Sequence, residues 1–326
     1  MRDYPPLFLE FSNYKIAVQG RSKLTVEQYL LDLDQFFRYL LCSRNHKNNR
    51  FSQEQFEEQS LDEVDIPLCG SVSPAEIIAF VGWEASERDN KPAARARKLS
   101  AIRSFYKFLT SSKHYLTENP ARDIESPRVK QALPKFLTLE ESLLLLDTIR
   151  ADGESKTMRR DYCMVTLFLN CGMRLSELVG ISLSDIDPEL RSLRVVGKGN
   201  KERMIYLNEA CKESIVEWLR TRSQQDIQDK NALFLSNRGT RISNKTVQYT
   251  VYKYLDKAGL GNRKLSTHKL RHTAATLMYQ EGGVDVRVLK DILGHAQLNT
   301  TQIYTHVSNS QMEEAMAKNP LAKKKK

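Results

Sequence analysis

Six residues in the second half of the chain form one chemical set: Arg174, Lys198, His268, Arg271, His295 and Tyr304. They are Arg, Lys, His and Tyr, with no carboxylate among them. That mix suits a phosphate under nucleophilic attack without a metal. Cations neutralise the developing dianion, and a phenol supplies an oxygen that can become covalently attached.

Each residue alone has a plainer reading. Arg174 follows a Gly turn in Cys171-Gly-Met-Arg-Leu-Ser-Glu177. Arg174 and Glu177, three apart, share a helical face, so Glu177 is a supporting candidate that holds the guanidinium in one rotamer; a surface ion pair is the alternative. His268-x-x-Arg271 puts two side chains on one face near a helix N-terminus, a position that favours an anion, or else a solvent-facing pair. Gly294 stands as the C′ residue of a helix before His295. Tyr304, nine residues further on, could equally be a half-buried packing residue.

The elements that must position these residues can be read from caps and periodicity. Residues 1–125 read mostly as helices. One has its stripe from Leu24 to Leu41 with Thr25 as N-cap and Gln28 after it; another is opened by Ser73-Pro74 and runs through Trp83; a third runs from Ala93 to Thr110. The polar, acidic stretch Ser43 to Pro67 reads as a loop or insertion. Residues 126–134 read as an extended linker with two prolines. Beyond it, Thr138 caps a helix through Ile149, with Glu141 completing a capping box. Asp161 to Asn170 reads as an apolar helix, and Leu193 to Val196 with Arg203 to Leu207 as a hairpin turning at Gly197-Lys198-Gly199. Leu233 to Leu235 reads as a short strand. Helices are expected over Ser243 to Ala258, Ser266 to Glu281, Val284 to Leu293 and about 309–318.

Composition limits the function classes. The chain has 326 residues, 40% of them apolar, and a net charge of +10; that is enough for two domains with real cores. Apolar runs such as Ile77 to Val81 and Leu143 to Leu146 are too short to span a bilayer, and the first residues lack a signal-peptide core, so a cytoplasmic protein is expected, with no membrane partner. Five cysteines form no CxxC pair and no zinc spacing, so neither metal nor other cofactor is expected. Residues 1–130 carry 19 Lys+Arg against 18 Asp+Glu, and residues 131–326 carry 31 against 22. From Lys91 to Lys113 there are seven basic residues and no acid. A basic stripe suggests a polyanion face, and a solvated helical surface is the alternative. On the third helix Arg95, Arg97, Lys98, Arg103 and Lys107 are free to face out. In the second half Lys245 and Gln248, with Tyr249 and Lys253, lie on the best candidate for a major-groove helix, and Lys201, Arg203 and Arg241 are candidate phosphate contacts.

Taken together, in this order and spacing, the six residues resemble the tyrosine recombinase (phage integrase) family over nearly the whole chain, and within it the Xer group. The motifs are Gly-Met-Arg174-Leu-Ser-Glu-Leu, Lys198 on its hairpin, His268-Lys-Leu-Arg271-His-Thr, Leu-Gly-His295 and Thr-Thr-Gln-Ile-Tyr304. Ala274-Ala275 departs from the family's usual Phe-Ala. The resemblance implies a mostly α fold with small antiparallel β elements. It further implies a helical, SAM-like core-binding domain over 1–125, a catalytic domain over 135–326 ending in an exchange helix, and a C-shaped clamp on DNA. The implied catalytic set has Tyr304 as nucleophile forming a 3′-phosphotyrosine, Arg174 and Arg271 on the non-bridging oxygens, His268 as base, His295 assisting and Lys198 protonating the leaving 5′ oxygen. The implied partners are a double-stranded DNA recombination site, a homotetramer on two sites joined through the C-terminal helix (Met312, Ala315 and Met316), and a second recombinase or a septal DNA translocase in a nucleoid-associated role. Chromosome dimer resolution and mobile-element integration share this chemistry. The competing expectations are a type IB topoisomerase and a non-catalytic DNA-binding protein; the latter would not need Tyr304.

Overall fold

The computed structural model describes residues 4–46, 51–128, 135–197, 202–224 and 226–294. The chain divides into two compact units, Met1–Gln131 and Ala132–Lys326, each with its own apolar core.

The first unit is helical: α1 (Pro6–Asn13), α2 (Lys23–Asn45), α3 (Gln53–Glu58), α4 (Ile66–Gly70), α5 (Pro74–Ser86) and α6 (Pro92–Lys107), with π-helical turns after α1 and α6. Ser73 opens α5 with Pro74 at N1 and a capping box to Glu76. The core is aromatic. Phe11 meets Phe105 edge to face at 5.4 Å, and Phe8 meets the same ring at 5.5 Å, the geometry that ring quadrupoles favour.

Two expectations fail in this unit. The cap of α2 is Ser22, whose Oγ accepts from the Thr25 N–H at 3.3 Å; Thr25 lies inside the first turn. Ser43 to Pro67 is not a plain loop, because α2 runs on to Asn45 and the stretch holds α3 and the start of α4. Ser52 and Gln55 form a capping box, Phe56 is buried with its ring 5.1 Å from Trp83, and the Asp65 carboxylate caps Leu68 N–H. One buried side chain, Phe56 in α3 and Cys69 in α4, and a cap hold each piece, too little for periodicity to register.

In the second unit α8 (Met158–Cys171) packs against α7 (Leu139–Arg150), α10 (Glu209–Arg222) and α12 (Thr267–Gln280). Between them lie α9 (Leu175–Gly180), the hairpin β1 (Ser192–Val196) and β2 (Glu202–Tyr206), α11 (Asn244–Lys257) and α13 (Val286–Leu293). The hairpin is antiparallel, with Ser192 opposite Tyr206 and Val196 opposite Glu202. Thr138 caps α7 through a box with Glu141. Helix α10, capped by Asn208, was not anticipated; Cys211, Ile215 and Trp218 make the i, i+4, i+7 stripe that signals it.

Leu233 to Leu235 is buried but is not a strand. Isolated bridges flank it at Ala232 and Leu235. Side chains satisfy its carbonyls: Arg222 donates to Ala232 O at 3.0 Å, Trp218 to Leu233 O at 2.9 Å and Arg160 to Leu235 O at 2.8 Å. Buried backbone acceptors need partners, and here the partners need not be another strand. Among the described residues no helix is long and apolar enough to cross a membrane, and no three His, Cys, Asp or Glu side chains group as metal ligands. The expected helix near 309–318 lies outside the described residues.

Candidate active site

Helix α8 ends on Gly172, in the left-handed region at φ 59°. A Cβ there would lie 2.7 Å from Leu293 Cδ2, and the positive φ strains any residue with a side chain. The reversal makes Arg174 the N-cap of α9. Its N–H donates to Glu177 at 2.8 Å, and its Nη1 donates to the other carboxylate oxygen at 2.7 Å. The expected pair thus forms, with Glu177 fully buried and the Arg174 side chain 35% exposed.

Helix α13 ends on Gly294, at φ 63°. The last carbonyls of a helix have no intrahelical donor and carry its negative dipole end. Three guanidiniums converge on them. Arg203 Nε donates to Ile292 O at 3.2 Å, Arg271 Nη2 to Leu293 O at 2.6 Å and Arg174 Nη2 to Gly294 O at 3.2 Å. Arg271, buried in α12, also donates to Gly172 O at 2.7 Å. Arg174 and Arg271 are therefore brought together around the two glycine turns, and the chain continues from Gly294 into His295. Lys198, Lys201, His295 and Tyr304 lie outside the described residues.

His268 stands one turn before Arg271 on α12. Its Nε2 and that of His272 share a hydrogen bond at 3.1 Å, with the rings perpendicular and 4.5 Å apart. Partial desolvation, then the positive charges of Arg271, Lys269 and Arg174, hold the His268 imidazole below the ordinary histidine value. At neutral pH it is a neutral ring that can take a proton. Burial alone would raise Glu177. The hydrogen bond and charge of Arg203, with the N–H and side-chain hydrogen bonds of Arg174, outweigh it and keep the carboxylate ionised. His272 was missed as a neighbour of the site, although its i, i+4 spacing from His268 signals it.

The candidate DNA contacts divide by burial. On α6, Lys98 does not face out: it is buried and pairs with Glu84 at 2.7 Å. Arg97 is paired with Asp32. Arg103 donates to Ala121 O at 3.1 Å and Ser126 Oγ at 2.9 Å. Arg95 is half-buried, and Lys107 is exposed. Arg241 is committed internally: it donates to Val179 O at 3.0 Å, Ile181 O at 2.8 Å and Ser182 Oγ at 3.0 Å. Arg203 is likewise turned inward. Lys245 and Gln248 are exposed on α11, beside exposed Tyr249 and Tyr252.

The model of the phage integrase family matches residues 135–311. The chain belongs to the phage integrase family. It is 49% identical to tyrosine recombinase XerC of Caldanaerobacter subterraneus subsp. tengcongensis over 98% of this chain and 88% of that one. It is 36% identical to XerC of Thermodesulfovibrio yellowstonii over 96% of each. In fold it is similar to XerH recombinase bound to difH substrate in a pre-cleavage complex, with a TM-score of 0.69, 23% identity, and coverage of 95% of this chain and 84% of that one. The Tn1549 transposon integrase with transposon right-end DNA gives a TM-score of 0.68, 17% identity, and coverage of 95% and 98%. The chain is a Xer-like site-specific tyrosine recombinase, mostly α with one small antiparallel sheet among the described residues.

Proposed function

We propose that this recombinase cuts and rejoins double-stranded DNA at a recombination site through Tyr304, in the Xer role of resolving chromosome dimers. One observation carries the reading. Arg174 and Arg271 donate to the last carbonyls of α13, one residue before His295 in the chain, and the His268 imidazole lies within the field of both guanidiniums. Cations and a proton acceptor at one point suit a phosphodiester under attack.

In the proposed reaction the Tyr304 phenol oxygen bonds to phosphorus and the bond to the 5′ oxygen breaks. His268 takes the phenolic proton. Arg174 and Arg271 hold the non-bridging oxygens, with His295 donating a further hydrogen bond. Lys198 protonates the departing 5′ oxygen. The 3′-phosphotyrosine keeps the bond energy, so rejoining needs no nucleotide cofactor. Lys107 on one unit, with Lys245 and Gln248 on the other, would engage the DNA. Two protomers would occupy one site and four would join two sites through the C-terminal segment, in the cytoplasm on the nucleoid. The XerC names of the relatives and the DNA-bound states of the structural neighbours support this reading.

The test is a nicked suicide DNA site. Wild type should form a covalent protein–DNA adduct and Tyr304→Phe should form none. Absence of an adduct in wild type sinks the proposal, and an adduct that persists in Tyr304→Phe moves the nucleophile elsewhere. Exchange of strands between two sites, as opposed to relaxation alone, separates recombination from topoisomerase action.

A further inference from the structure

Arg203 reads in the sequence as a phosphate contact, a basic residue on the hairpin beyond Lys198. Its surroundings do not suit that role. The side chain is 14% exposed, and its Nη2 is out of contact with solvent. Nη1 donates to Glu177 Oε1 at 2.5 Å, and Nε donates to Ile292 O at 3.2 Å. Its stem lies against the backbone at Gly294, where a Cβ would come within 2.9 Å of Arg203 Cδ and 3.3 Å of Nε. Residue 294 also has a positive φ, so a side chain there is excluded both by conformation and by Arg203.

We infer that Arg203 is a positioning residue that locks three pieces of the catalytic machinery into one register. It stands on β2 opposite Val195, one pair in from the end where the strands are connected through the segment that contains Lys198. It shares the Glu177 carboxylate with Arg174, and so fixes the group that orients that guanidinium. Through Ile292 O it holds the end of α13, from which the chain passes into His295. A planar fork with fixed donor directions can serve a carboxylate and a carbonyl together; an ammonium on a flexible stem cannot hold that geometry. Arg203 acts through Arg174, the hairpin and the α13 terminus, not on DNA. The inference rests on the proposed reaction, since it needs those elements to be the catalytic ones.

The test uses the full chain on nicked suicide DNA, with Arg203→Lys and Arg203→Met compared with wild type. Four quantities are read: the rate constant of adduct formation at saturating protein, its final amplitude, the DNA dissociation constant and the salt dependence of that constant. The rate constant should fall in both variants, by up to roughly 10²-fold, the effect of small misplacements in a catalytic site. Amplitude, affinity and salt slope should stay at wild-type values. Combining Arg203→Lys with Glu177→Gln should cost little more than the larger single change, because both act through Arg174. A salt slope reduced by about one, with weaker binding and an unchanged saturated rate, would restore the phosphate-contact role and overturn the inference. A reduced amplitude at an unchanged rate would overturn it in favour of a purely structural role. Failure of wild type to form any adduct is a separate result, and strikes the proposed reaction itself.

Discussion

In the N-terminal unit Lys98 and Glu84 form a buried pair of one cation and one anion, and the buried Asp32 is matched by Arg97, whose side chain is 40% exposed. In the C-terminal unit the buried Glu177 receives two guanidiniums, from Arg174 and Arg203. The first arrangement cancels charge inside a helical core. The second leaves an excess positive charge beside the α13 terminus, where main-chain carbonyls hold the guanidiniums in place without neutralising them. A run of basic letters therefore does not mark an anion site. The ratio of cations to carboxylates at one buried point does.

Neutralising the two buried carboxylates tests this contrast most severely. Glu84→Gln and Glu177→Gln each leave a buried cation without its counter-charge, which costs about 3–5 kcal/mol. Denaturant unfolding should show both losses. Under conditions where both variants are folded, cleavage at saturating DNA should be slowed only by Glu177→Gln. Slow cleavage in Glu84→Gln would erase the distinction between the units.

Next in size is the removal of a cation from each unit. Arg174→Ala should lower the rate of adduct formation by roughly 10²–10³-fold, as for other donors to a developing anion. Arg97→Ala should leave the rate at saturating DNA unchanged. Single-turnover cleavage of the suicide site measures both, and equal losses in the two variants would refute the reading.

How far these arrangements are legible in the sequence depends on what holds each one. Helix α5 announces itself through Ser73-Pro74 and α7 through the capping box of Thr138 with Glu141, because caps are written in side chains. The hairpin is legible from two apolar runs around a glycine turn. Arg174 with Glu177, and His268 with Arg271, are legible because three residues is one helical face. The meeting of Arg174, Arg203 and Arg271 at α13 is not, because the acceptors are carbonyls, which every residue carries. Lys98, Arg203 and Arg241 show the same limit: a long stem lets the head go inward or outward, and the letter does not say which. Leu233 to Leu235 reads as a strand because it is apolar and short, yet Arg160, Trp218 and Arg222 take the carbonyls that a neighbouring strand would have taken.

The excess charge also predicts a titration. Desolvation and the charges of Arg271, Lys269 and Arg174 disfavour the imidazolium of His268, so its pKa in the free protein lies below the ordinary 6.5. The neutral base is present above that pKa and is lost as pH falls through it. Lys269→Gln removes one of the three charges, so the His268 pKa should rise. Histidine ring resonances followed against pH give both values. A wild-type value at or above the ordinary one, or no upward move in Lys269→Gln, would contradict the electrostatic account.

The smallest expected effect separates basic residues by where their heads lie. Lys107 and Lys245 are exposed, one on each unit, whereas Lys98 is buried against Glu84. A lysine that neutralises one phosphate releases about 0.9 counterion on duplex DNA. Lys107→Ala and Lys245→Ala should each reduce the slope of log affinity against log salt by about that amount, with no change in sequence preference. Lys98→Met should leave the slope at its wild-type value, because its ammonium is already matched by Glu84 and never reaches the surface. Binding isotherms at several salt concentrations decide it. If Lys98→Met lowers the slope as much as Lys107→Ala does, the charge on α6 acts on DNA as a whole, and its pairing inside the core does not screen it.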